Sequence, residues 1–147
     1  MKKQLGFSLV ELLVVIAIIG ILSTLAVIYL GGATEKANDA KRLSHVNAVK
    51  TSMELVRSES GDYTDSGCLT SGFLKDCADL GEYIPSIDTY NDPTAAATTK
   101  CSATVLTDCN YAFGAVGANS YVLHFFLEKG TKDLAAGAHT LTDGVIE

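Results

Sequence analysis

Residues 12–30 carry no charge. Apart from Gly20, Ser23, Thr24 and Tyr29, they are leucine, isoleucine, valine and alanine. Nineteen such residues, at about 1.5 Å each, make roughly 28 Å of helix, close to the hydrocarbon thickness of a bilayer. A run of this length and composition constrains the chain more than any other feature: it must lie in lipid or among other apolar helices. One acid, Glu11, stands at its mouth, after a Gly6-Phe7 step that is itself preceded by Lys2 and Lys3.

Three readings compete for this segment: a plain membrane anchor, a cleavable secretory signal, and a precursor segment that stays attached after processing. Gly31, Gly32 and Ala33 offer the small residues a signal peptidase would want. A cleavable apolar region, however, usually runs about 7–15 residues behind a wholly positive leader. Here the run is longer, and Glu11 lies between the lysines and it. The stretch Phe7-Ser8-Leu9-Val10-Glu11-Leu12-Leu13, behind a short lysine-bearing leader ending in Gly6, resembles the type IV prepilin family. The likeness covers about the first thirty residues without a gap.

The resemblance implies roles residue by residue. Pilins of this kind are cut after the glycine matching Gly6 by a membrane aspartic prepilin peptidase, which then methylates the new terminal amine, here on Phe7. The acid matching Glu11 is the one that pairs with a neighbouring subunit's terminal amine during assembly. The glycine matching Gly20 begins a stretch that loses helicity in some filaments. Many members carry a proline where this chain has Ile28, so any melting here would rest on Gly20 alone. That glycine costs about 1 kcal/mol relative to alanine.

The expected organisation is a leader over residues 1–6, a transmembrane and filament-core helix over 7–30, and an extracytoplasmic unit over 31–147. The formal net charge of −6 becomes −8 once Lys2 and Lys3 leave with the leader, which argues against nucleic acid as a direct partner. Lysines flank both sides of the apolar run, so the positive-inside rule does not choose an orientation. The four cysteines, Cys68, Cys77, Cys101 and Cys109, all lie downstream of it. An even count there favours an oxidising compartment and two disulfides, hence an N-terminus on the cytoplasmic side of the inner membrane. Local pairing is the simplest of three connectivities. The seven to twenty-three residues between successive cysteines do not suit a zinc site.

Helical periodicity continues past the membrane run. Ala33, Ala37, Ala40, Leu43, Val46, Val49, Met53 and Val56 recur at three- and four-residue steps and define the expected buried face. Asp39, Lys41, Arg42 and the other charges fall mostly off it. With no proline or glycine from Ala33 to Ser60, and Gly61 as the natural stop, one helix from about residue 7 to 59 is expected, roughly 80 Å long.

Residues 61–110 shift to aspartate, threonine, serine and glycine, a composition for loops held by disulfides. Strand signals follow at 111–116 and 120–128, joined by a Gly117-Ala118-Asn119 turn. In the second, alternation sends Tyr121, Leu123, Phe125 and Leu127 to one face. A third strand is expected at 138–142 or 144–146. The fold class is therefore α+β: a long N-terminal helix packed on a small antiparallel sheet. This architecture, too, is similar to that of the pilins.

No catalytic constellation accompanies this. His45, His124 and His139 lack ligand spacing, and we read His45 as a helix-surface residue and His124 as facing the less buried side of its strand. Asp88 and Asp92 have too few acidic neighbours in sequence for a convincing calcium loop. No cofactor, metal or enzyme activity is expected. The chain reads as a structural subunit of a type IV pilus-like filament, with itself, the prepilin peptidase, a membrane assembly platform and, before assembly, membrane lipid as partners. It would be stored in the inner membrane and end outside the cell. A type II secretion pseudopilin is the alternative, and a membrane-tethered ligand-binding domain or enzyme a more distant one.

Overall fold

A computed structural model describes residues 7–94, 98–105, 107 and 109–147. Its residues divide into two compact units, Met1–Thr34 and Glu35–Glu147. Helix α1 runs over Leu9–Ser60 and contributes to both. It is long and apolar enough to cross a membrane. Its end is set at Gly61, whose φ of +86° suits a residue without a Cβ and whose N–H still reaches Arg57 O at 2.8 Å.

In the second unit the sheet is a four-stranded antiparallel meander in the order β1-β2-β3-β4. The strands are β1 (Ala112–Val116), β2 (Tyr121–Leu127), β3 (Gly137–Thr142) and β4 (Val145–Ile146). Strand β2 shows the expected two-residue period, with Tyr121, Leu123, Phe125 and Leu127 buried and Val122, His124 and Phe126 only half-buried. Both segments considered for a third strand are used. Asp143 and Gly144, each with positive φ, close them into the two-residue hairpin that Asp-Gly pairs favour. Register slips by one residue between Phe113 and Ala115, a bulge at Gly114. A Cβ there would sit 2.3 Å from His124 Nε2, so the bulge lets the imidazole lie against bare backbone.

The core forms where the inner face of this sheet meets Val46, Val49, Met53 and Val56 of α1, with Tyr63, Leu74, Leu80, Ile84 and Ile87 filling in from the long connection. Among its described residues that connection contains four short 3-10 turns, at Tyr63–Ser66, Leu74–Asp76, Leu80–Glu82 and Ile87–Thr89. It is stapled locally, Cys68 to Cys77 and Cys101 to Cys109. Closing loops of this size restricts the unfolded chain by about 2–3 kcal/mol per bridge. Reduction of the full chain in detergent should lower its urea midpoint accordingly. An unchanged midpoint, with thiols shown to be free, would mean that the bridges add nothing to stability.

The buried face of α1 differs from the one apolarity alone suggests. Ala33, Ala37 and Ala40 are exposed, while Asp39 and Arg42 are fully buried. The stripe that meets the sheet is 39, 42, 46, 49, 53 and 56, which keeps the three-and-four step but passes through two charged residues. His45 also departs from expectation. It is half-buried, stacked on Tyr90 at 4.2 Å between ring centroids and edge-on to Tyr111 at 5.7 Å. Burial lowers its pKa.

Candidate assembly segment and the charge cluster of the second unit

Helix α1 starts directly behind Ser8, placing Glu11 at its third position. The Ser8 N–H donates to Glu11 Oε2 at 2.9 Å, half of the reciprocal Ser-x-x-Glu capping box. An acid in the first turn also faces the positive end of the helix dipole. Glu11 thus has a local structural role that the apolar context had obscured. The four-residue signal Ser8-Leu9-Val10-Glu11 was nevertheless there to be read. Phe7 stands 76 % exposed at the start of the described residues, and Gly6 lies outside them.

Beyond Glu11 every residue through Leu30 is exposed within the chain. The serine and threonine side chains in this stretch are turned onto their own helix. Ser23 Oγ donates to Ile19 O at 2.7 Å and Thr24 Oγ1 to Ile21 O at 2.7 Å. Just past it, Thr34 Oγ1 donates to Leu30 O at 3.0 Å. Gly20 has no atom within 4 Å of where a Cβ would be, so neither packing nor backbone conformation demands glycine there. The segment presents hydrocarbon on all sides, with one carboxylate at its head.

In the second unit a different polar group is buried. Arg42 donates from Nε to Asp92 Oδ2 at 2.6 Å and from Nη2 to Asp92 Oδ1 at 2.8 Å, a two-pronged pair. Its Nη1 donates to Asp39 Oδ1 at 2.8 Å, and Nη2 also lies 2.7 Å from Glu128 Oε1 and 2.6 Å from Thr94 Oγ1. Asp39 in turn accepts the backbone N–H groups of Glu128, Lys129 and Gly130 at 2.8–2.9 Å. Helix, long connection and the exit of β2 therefore converge on one guanidinium.

Burial works against each of these charges. For Asp39, the N–H groups of Lys129 and Glu128 and the guanidinium outweigh it and hold the carboxyl below its usual range. Arg42 and Thr94 do the same for Asp92. The carboxylates of Asp92, Glu128 and Asp39 push the guanidinium further up, so it remains charged. Asp92, weighed above as a calcium ligand, is thus engaged by an internal cation. Asp88 is exposed and does not join it. Tyr111, behind Asp92 in the core, has its pKa raised by burial and then by that carboxylate.

Residues 1–27 match the model of the prokaryotic N-terminal methylation motif. Curated relatives add to the likeness. The type II secretion system core protein G of Vibrio cholerae serotype O1 is 36 % identical over 69 residues, covering 46 % of this chain and 47 % of its own. Over its N-terminal segment the chain is type IV pilin-like. The core protein G of Escherichia coli K12 is 39 % identical over 61 residues, 42 % of either chain. A fimbrial protein of Pseudomonas aeruginosa is 43 % identical over 54 residues, covering 37 % of this chain and 35 % of its own. The chain spans less than half the length of these relatives, and no solved structure matches it. The Arg42 cluster draws on Asp92 and Glu128, well beyond the pilin-like N-terminal segment.

Proposed function

We propose that this chain is a structural subunit of a type IV pilus-like filament: held in the inner membrane as a precursor, cleaved after Gly6, and polymerised through α1. The observation that carries the reading is the fully exposed, uncharged helical surface of residues 12–30 behind a single acid, in a chain whose first 27 residues match the methylation motif. Such a surface is stable only in lipid or against like helices. The prepilin peptidase, an assembly platform and membrane lipid would be its partners, and assembly rather than catalysis its work. The globular unit would face away from the cytoplasm, where both disulfides persist.

A second reading, a pseudopilin of a type II secretion system, is favoured by the run of core protein G relatives from four different organisms. Electron microscopy of filaments sheared from cells, with mass spectrometry of their main component, separates the two. Long surface fibres made of this chain support the pilus. Their absence, with the chain required for release of a secreted enzyme, supports the pseudopilin.

Processing gives a further expected result. The mature N-terminal peptide should begin at Phe7 and carry one methyl group on its amine. A mature chain beginning after Ala33 would instead identify the apolar run as a removed signal and overturn the filament reading.

A further inference from the structure

The charges of the second unit are unevenly placed. At the end where α1 enters it, Lys36, Ala40, Leu43 and Ser44 of the helix and Lys129 and Lys132 beyond β2 line an open groove of about 840 Å³. Three lysines therefore share one hollow in a chain of net charge −6. Their nearby acids are few. Glu35 takes Lys129 at 3.2 Å, Asp133 lies on the same loop, and Asp39 and Glu128 are turned inward onto Arg42. Between the lysines the groove is lined by uncharged residues, Ala40, Leu43 and Ser44 among them.

At the other end of the helix the balance reverses. Glu59 accepts a hydrogen bond from Tyr83, the neighbour of Glu82. Asp62 caps the turn at Tyr63–Ser66. Asp79 packs beside Gly67, held near by the Cys68–Cys77 bridge. Asp65, Asp79, Glu82 and Glu59 are all exposed. Arg57 is spent partly on the Asn119 carbonyl and the Tyr63 ring, and Lys75 and Lys100 both lie over the Phe73 ring, with Lys100 also donating to the Ser71 carbonyl. Lys36 and Glu59 are twenty-three residues apart on one helix, about 35 Å.

We propose that the Lys36–Lys129–Lys132 groove receives the Asp79–Glu82 acidic end of a second copy of this chain. The two patches are complementary in sign but lie at opposite ends of the unit, so one copy cannot satisfy itself. A contact between different patches on identical subunits is heterologous and propagates in one direction. Repeated, it offsets successive units along the helix by about 35 Å and gives the polymer a polarity. Charge complementarity sets orientation and encounter rate more than affinity, so the contact orders copies that the apolar run brings together. The inference deepens the filament reading and rests on it for its setting.

A zero-length carbodiimide, which joins an amine to a carboxylate only in direct contact, tests it on the full-length chain in cell membranes and in sheared filaments. Peptides joining Lys36, Lys129 or Lys132 to Asp79 or Glu82 are expected. The separation within one chain makes such a link intermolecular. The links should fall at least about tenfold in K36E/K132E, and likewise in D79K/E82K. They should return, with donor and acceptor exchanged, when the two variants are combined. Filaments that form without these links overturn the pairing and leave the filament reading standing. Links found in membranes of cells that make no filament do the reverse. Absence of both overturns both. Failure of the combined variant to regain links overturns the pairing, as does protection of the groove lysines from amine labelling by phosphatidylglycerol vesicles alone, which would assign the groove to lipid headgroups.

Discussion

Replacing Glu11 by leucine is expected to leave membrane insertion and cleavage intact while cutting filament yield by one to two orders of magnitude. A carboxylate among apolar helices costs about 3 kcal/mol on insertion scales, and such a group is normally paired. From residue 8 to residue 35 the chain has no cation to pair with it. Under the function proposed above, the amine that cleavage after Gly6 would free at Phe7 is the partner, presented by a neighbour staggered along the bundle. In Glu11→Leu that amine would be buried without its counter-charge, and a penalty of about 3 kcal/mol per added subunit corresponds to roughly a hundredfold weaker addition.

The capping bond from Ser8 supplies a control that separates charge from helix geometry. A glutamine at this position still accepts the Ser8 N–H, as capping boxes use either residue. Glu11→Gln should therefore keep the helix start and still fail to assemble efficiently. Normal filament yield from Glu11→Gln, with Glu11→Leu defective, would assign the effect to the cap. Normal yield from both, with no unaltered subunit present, would sink the pairing mechanism altogether.

Arg42→Met is expected to produce the largest loss of stability. Removing the guanidinium takes from Asp39, Asp92 and the partly covered Glu128 the cation on which all three converge. Breaking a buried pair on one side typically costs about 3–5 kcal/mol, a large part of the 5–15 kcal/mol that holds a domain folded. Thermal unfolding of the full chain in detergent should register a substantial fall in Tm. An unchanged Tm would show that the cluster is dispensable for stability. Arg42→Lys should recover only part of the loss, because an ammonium cannot make the two-pronged contact with Asp92.

The same cluster fixes a pH dependence. Asp39 and Asp92 have folded pKa values below their ordinary range near 3.8. Their contribution is therefore fully present above the unfolded pKa and is lost as pH falls through the folded values. The unaltered chain should lose stability below about pH 4, and Arg42→Met should show less of that acid dependence.

Much of the second unit could be read from periodicity, because residues 121, 123, 125 and 127 alternate strictly and all end up buried. The fourth strand was harder. Two residues are too few to carry a period, and only the Asp143-Gly144 turn marks the hairpin. The charge cluster was misplaced for a physical reason. A charged side chain is buried only when its partners come with it, and those of Arg42 lie 50 and 86 residues away. Nothing local to Asp39-x-x-Arg42 distinguishes it from a surface pair, so the face was drawn instead through Ala37 and Ala40. The apolar segment was legible because its signal is local: an uncharged run with one acid in front.

The hydroxyls of Ser23, Thr24 and Thr34 bear on how such a segment could leave a bilayer. Each is already satisfied by a carbonyl of its own helix. Moving the segment from acyl chains to neighbouring helices therefore breaks no hydrogen bond and, since both surroundings are equally oily, gains little from water. The transfer is close to an exchange between two equivalent solvents. In the filament proposed above, the apolar run itself would favour neither direction of transfer, and any bias would come from contacts outside it, such as the pairing of Glu11.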